Sequence, residues 1–230
     1  MATYEKVSWF QRLKNNMKDM TFKEKIAHLW EYYKWFAIVG VLLIVATVSV
    51  VTSVIQNNKE LVYGGAIVNL SVTEEGKTYL KEGWFEALEG DSKKQKIELD
   101  ELYIPNMEQA TFMESAMANV SKITAMVSAG YIDYVLADAY AIHYLGSAGA
   151  FQPLENVLSQ ELIEKFEGKL VTYEDDEKSY LVAIDISEFG FVKKNIISAD
   201  KVYIAFPGNT GRTERNAEFL EYLMNWGELA

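Results

Sequence analysis

Apolar residues recur at helical steps from the start of the chain: Val7, Phe10, Leu13 and Met17, with Lys14 and Lys18 among the polar positions between them. This spacing predicts a basic amphipathic helix, which suits either the inner face of a membrane or a neighbouring helix. Thr21 and Glu24 form a T-x-x-E capping box, so a second helix is expected to begin near Phe22. From Trp35 to Ile55 the polar positions disappear: WFAIVGVLLIVATVSVVTSVI is 21 residues without Asp, Glu, Lys, Arg or His. A helix of that length reaches about 31 Å, enough to cross the hydrocarbon layer of a bilayer. Trp30, Tyr32, Tyr33, Trp35 and Phe36 cluster at its beginning, where rings settle at the headgroup level and fix the depth of a span. The run exceeds the length of a signal-peptide core and follows 34 residues of structured-looking sequence, so an uncleaved anchor is expected.

Residues 56–60 are polar and predict a short linker. Beyond them strand and helix patterns alternate. Leu61–Leu70 is a largely apolar run, as in a strand buried on both faces. Residues 73–88 show helical spacing through Leu80, Trp84, Ala87 and Leu88, and Lys96–Ile104 reads as a strand closed by Pro105. Residues 108–129 predict a long helix with Phe112, Met113, Ala116, Met117, Val120, Ile123 and Val127 on its core face, capped by Gly130 and followed by the strand Tyr131–Ala137. Strand–helix alternation with these lengths implies an α/β domain with a mainly parallel sheet. The remainder reads as short helices over 138–145 and 151–168, a hairpin pairing Leu170–Tyr173 with Tyr180–Ile186, a strand Lys201–Phe206 and a closing helix 213–229 with Phe219, Leu220, Leu223 and Trp226.

Charge divides the chain at the apolar run. Residues 1–34 carry seven Lys and Arg against four acids, a net of +3. The 15 basic and 29 acidic residues that follow the run give −14, and together these make the total of −11. Short basic flanks resist translocation, so the expected topology is a cytoplasmic head (1–34), a transmembrane helix (35–55) and an extracellular domain (61–230) at the cell surface. The acidity of the body argues against nucleic acid as a partner, because phosphates would be repelled. The absence of cysteine excludes disulfides, thiolate metal sites and cysteine nucleophiles.

Two stretches of the body carry a family likeness. Gly130–Leu154, GYIDYVLADAYAIHYLGSAGAFQPL, resembles the segment of extracellular solute-binding proteins of bacterial ABC transporters in which a G-x-x-D strand leads to a polar residue, a short helix and a G-x-F-x-P-L exit. Lys201–Leu223 is similar to the return segment of the same family, a strand and proline loop before a helix. The resemblance implies one lobe of a type 2 solute-binding protein. The stretch between the two segments is too short for a second lobe, so the chain resembles a reduced relative without a closing clamshell.

In an open α/β sheet, ligands sit at the carboxyl ends of strands. That rule selects Asn69 and Ser71 after the first strand, Asp138 and Tyr140 after the third, and Asp185 and Ser187 after a later one. Each also has a structural reading: a turn for Asn69 and Ser71, a helix cap for Asp138, and a surface strand end for Asp185. Arg212, in the loop Pro207–Arg212 ahead of a helix, could hold an anion or simply close a turn. The acidic run 174–177 lacks the D-x-D-x-D-G spacing of a calcium loop and reads as a hairpin turn. His143 stands alone, and no acid pair or nucleophile–base arrangement is visible. The expectation is therefore a non-enzyme without cofactor or metal. Its partners are the lipid bilayer and either a small solute or peptide, as a receptor or transporter accessory, or a membrane protein for which the domain is a scaffold.

Overall fold

The computed structural model describes residues 21–105, 113–174 and 179–227. The amphipathic head 1–20 and most of the acidic run at 174–177 fall outside the described residues. Two compact units emerge, Met1–Asn58 and Lys59–Ala230.

In the first unit, helix α1 runs from Phe22 to Asn57, starting where the capping box places it. Within it Lys34–Ile55 is long and apolar enough to cross a membrane, and none of that segment is buried in the protein. Thr47 and Thr52 sit in the apolar run with their hydroxyls donating back to the carbonyls of Leu43 and Val48. Both polar groups are thereby satisfied within the helix, which an apolar surrounding requires. Trp30, Trp35 and Phe36 are exposed, whereas the side chains of Tyr32 and Tyr33 lie outside the description. The predicted five-residue linker is shorter than expected. The helix persists to Asn57 and the first strand begins at Glu60, which leaves Asn58 and Lys59 between them. Asn58 N still donates to Val54 O at 3.1 Å, so polar composition did not stop the helical ladder.

The second unit is α/β. Strand β1 (Glu60–Val68) is followed by α2 (Glu74–Thr78), a π turn (Tyr79–Gly83) and α3 (Trp84–Ala87). Strand β2 (Gln95–Leu102), α4 (Met113–Ser128), β3 (Tyr134–Ala137) and α5 (Ala139–Ser147) come next. A 3-10 turn (Leu154–Asn156) and α6 (Gln160–Glu164) lead to the hairpin β4 (Leu170–Glu174) and β5 (Ser179–Asp185). The chain closes with α7 (Gly190–Asn195), β6 (Tyr203–Ala205) and α8 (Glu214–Met224).

The six strands form one sheet in the order β2-β1-β3-β6-β5-β4. The parallel arrangement expected from the alternation holds where β1 pairs with β2 and β3. The other three pairings are antiparallel: β6 inserts between β3 and β5 and runs against both, and β4 and β5 form the expected hairpin. The sheet is therefore mixed, with β1, β2, β3 and β5 running one way. Side chains alternate between two cores. Tyr63, Ile67, Tyr134, Leu136 and Ile204 pack with Leu80, Trp84, Phe191 and Phe219 on one face. Ala66, Val68, Val135, Ala137 and Ala205 pack with Ile123, Ala141 and Ile142 on the other. Helices cover both faces, as near-continuous apolar strands require.

Two expectations fail locally. The helix over 73–88 is not continuous, since a π turn at Tyr79–Gly83 widens its middle. Met117 is not core: it is 59% exposed, whereas Val120, Ile123, Met126 and Val127 of α4 pack into the core. The side chains of Met113 and Ala116 and all of Phe112 lie outside the described residues.

The aromatic side of the core holds an imperfection with a measurable consequence. Tyr134 is fully buried and its hydroxyl has no hydrogen-bond partner among the described residues. Gly65 makes room for it, since a Cβ there would stand 2.3 Å from the hydroxyl oxygen. An orphaned buried hydroxyl costs roughly 1–3 kcal/mol. Tyr134→Phe should therefore stabilise the domain by about 1 kcal/mol, read as a raised midpoint in urea unfolding with an unchanged slope.

Candidate functional site

Four strand ends meet the rule that selected the candidate residues. Val68 lies opposite Leu102 and Ala137, and Tyr203 links Ala137 to Asp185 across β6, so the carboxyl ends of β1, β2, β3 and β5 share one edge. β1 lies between β2 and β3, which follow it in sequence on opposite sides. The β1/β3 boundary is thus the topological switch point.

Asn69 and Asp138 occupy that point together. Asn69 adopts a left-handed conformation (φ 59°), which Asn tolerates better than most residues. Its amide clasps the chain leaving β2, with Nδ2 donating to Ile104 O at 3.0 Å and Oδ1 accepting from Ile104 N at 2.7 Å. Nδ2 also stands 3.3 Å from each carboxylate oxygen of Asp138. Asp138 caps α5, accepting from Ala141 N at 2.8 Å. Ser71 is bound through its backbone: its N donates to Ser198 Oγ at 2.7 Å and its carbonyl accepts from Ile197 N at 3.0 Å. Tyr140 lies on the first turn of α5, its ring 6.2 Å from that of Tyr144. A shallow groove of about 480 Å³ opens beside Asn69 and Ser71, lined also by Glu101, Tyr103, Asn119 and Ser198.

Asp185 and Ser187 form a separate group, with β6 between them and β3. Asp185 Oδ1 accepts from Ser187 N at 3.0 Å and from Ser187 Oγ at 2.5 Å, and Lys201 Nζ approaches its other oxygen at 3.5 Å. Ser187 Oγ accepts in turn from Val202 N at 3.0 Å, which ties the end of β5 to the start of β6. Burial pulls the Asp185 pKa upward, but the Ser187 hydrogen bonds and Lys201 outweigh it and hold the carboxyl below its ordinary value of 3.8. The stabilisation tied to that lowered pKa is present above about pH 4 and is lost as pH falls through the folded-state value. Ser187→Ala should therefore lower stability most above about pH 4.5. The difference from the parent should shrink toward pH 3, leaving a pH-independent remainder from Val202 N. Urea midpoints measured from pH 3 to 7 check this.

Arg212 lies at the opposite edge, and its guanidinium is already engaged. Nε stands 3.1 Å from both oxygens of Asp133, Nη2 is 3.0 Å from Asp133 Oδ2, and Nη2 donates to Gly130 O at 2.6 Å. Asp133 is fully buried and also accepts from Gly64 N at 2.7 Å. The guanidinium offered to an anion is thus directed into the protein, against the amino ends of β1 and β3. Asp133 was the signal within the sequence, an acid interrupting the apolar run IDYVLA.

A second groove, of about 610 Å³, was not foreseen. It lies between the π turn and the end of α8, lined by Tyr79, Gly83, Glu86, Lys194, Tyr222 and Trp226 among others. Tyr79 and Tyr222 stack with centroids 4.3 Å apart at 13°, and each hydroxyl donates to the other's carbonyl, at 2.9 and 3.1 Å. Among the described residues no group of three or more His, Asp or Glu is placed to hold a metal ion. No family model, curated protein or solved structure matches this chain.

Proposed function

We propose that the chain is a single-pass membrane protein, N-terminus cytoplasmic, whose body is a non-catalytic binding domain at the outer surface. On this reading the body is a reduced relative of a solute-binding lobe that takes its ligand on an open face. The contrast between the two candidate places supports it. At the strand ends Asn69, Asp138, Asp185 and Ser187 each have partners within the protein. The aromatic groove has a volume within the roughly 300–1,000 Å³ range of small-molecule sites. The +3 head and −14 body support the orientation.

The test is thermal unfolding of the full chain in lipid nanodiscs against sugars, amino acids, amines and short peptides. A ligand at a hundred times its dissociation constant adds about 2.7 kcal/mol to the folded state, a shift of several degrees. A shift specific to one chemical class supports a receptor. A flat panel on a folded protein sinks that reading.

One observation favours a second reading, a protein-binding scaffold: Tyr103 (59%), Met117 (59%) and Ile197 (75%) are large apolar residues left exposed. Tyr103 lines the strand-end groove and Ile197 bonds to Ser71 beside it, so the edge has apolar surface of the kind that docks partners.

A further inference from the structure

The walls of the larger groove are set by backbone as much as by side chains. The π turn carries Tyr79 at one end and Gly83 at the other. A Cβ at Gly83 would stand 2.5 Å from Tyr222 Oη, so the absent side chain leaves the two tyrosines free to stack. Their phenols are fixed by the reciprocal hydrogen bonds. Trp226 meets Tyr79 edge-on, 6.4 Å away at 82°. The result is a rigid aromatic corner.

The corner already has affinity for a cation of its own chain. Lys194 Nζ lies 4.9 Å from the centroid of the Trp226 ring and 3.1 Å from Glu75 Oε1. An ammonium over an indole face is held by the ring quadrupole as well as by the carboxylate. Of the two carboxylates in the lining, Glu75 is balanced by Lys194, whereas Glu86 has no ion-pair partner among the described residues. The groove thus combines aromatic faces, a seated ammonium and one uncompensated negative charge.

From this arrangement we infer that the groove binds a small free organic cation, an alkyl chain ending in an ammonium or guanidinium group, with its head paired to Glu86 and its stem on the Tyr79–Trp226 corner. Lys194 is the internal competitor for that corner, and displacing it transfers its charge to solvent while the ligand takes its place. This inference rests on the binding-domain reading and specifies the ligand class.

The test uses the full chain in nanodiscs and isothermal titration with n-butylammonium and n-propylguanidinium, against 1-butanol as the neutral analogue. Saturable one-to-one binding is expected for both cations, at least about tenfold tighter than for 1-butanol. Lys194→Ala should tighten the cations several-fold by vacating the corner. Glu86→Gln and Trp226→Leu should each weaken them about tenfold. Lys194 and Glu86 are exposed, so their variants carry the test even if Trp226→Leu loses its near-ultraviolet dichroism. Absence of saturable cation binding, equal binding of 1-butanol, or affinities unmoved by both Lys194→Ala and Glu86→Gln would overturn the inference. If these cations fail while another solute class shifts the unfolding temperature, the inference falls and the binding domain stands. A flat panel removes both.

Discussion

Replacing Asp133 by Ala is expected to destabilise the domain by about 3–5 kcal/mol, the cost of breaking a buried ion pair by deleting one partner. Asp133 has no exposed surface, and the Arg212 side chain facing it is only 23% exposed. Deletion leaves the guanidinium facing the protein without its counter-charge, and it leaves Gly64 N without the carboxylate oxygen at 2.7 Å. Whole domains are stable by only about 5–15 kcal/mol, so the loss is a large part of the total. Asp133→Asn separates the two contributions, since an amide oxygen can still accept from Gly64 N but carries no charge for Arg212. Its cost should fall between zero and that of the Ala variant. Urea unfolding of the full chain in detergent, followed by near-ultraviolet dichroism, reads both. An Ala variant within 1 kcal/mol of the parent would mean that the pair behaves like a surface ion pair despite its burial.

Phe219→Ala should cost a similar amount, about 3–5 kcal/mol. The ring is fully buried at the centre of the aromatic core, with centroids 4.2 Å from Tyr134, 5.2 Å from Tyr63 and 5.3 Å from Trp84. Those neighbours also pack on one another, Tyr63 with Tyr134 at 5.5 Å and with Trp84 at 5.9 Å, which limits their collapse into the space. The cavity term therefore adds to the lost burial. For a domain of this size the expected fall in melting temperature is roughly 6–20 °C. A fall below about 3 °C in calorimetry would show that the ring's neighbours can repack.

How much of this could be read from the sequence depends on how local the cause is. The start of α1, the strands β1 to β3 and the hairpin β4–β5 follow from runs, caps and turns within a few residues of each other. The placement of β6 between β3 and β5 depends on pairing with residues far away in sequence, and no local pattern encodes it. Met117 kept helical spacing with Val120, yet it is exposed while Val120 and Ile123 pack into the core, a difference set by what α4 meets in the fold and not by the spacing itself. The candidate residues divide in the same way. The capping role of Asp138 follows from its position before a helix, whereas its contact with Asn69 joins residues 69 positions apart. Arg212 stood out as a cation in a glycine loop, but Asp133, which engages it, lies 79 positions earlier. The aromatic groove depends on Tyr79 meeting Tyr222, 143 positions away. Helical spacing placed Trp226 in the closing helix with Phe219, but α8 ends at Met224, and Trp226 packs partly buried against the core from beyond it.

The two-residue junction between α1 and β1 has a mechanical consequence. Any tension carried by α1 enters the second unit at Glu60, the first residue of an interior strand and three positions beyond the end of the helix. β1 is laced to β2 from Glu60↔Gln95 through Val68↔Leu102 and to β3 from Gly65↔Tyr134 through Val68↔Ala137. Its root is held further by Arg215, which donates to Val62 O at 2.5 Å. A pull along the strand must shear two ladders at once, instead of unzipping one bond at a time from an edge. Forced extraction is governed by the unfolding rate, so the lifetime under load depends on these ladders and on the Asp133–Gly64 contact. The strand joined to α1 is thus an interior one, with no free edge from which to peel.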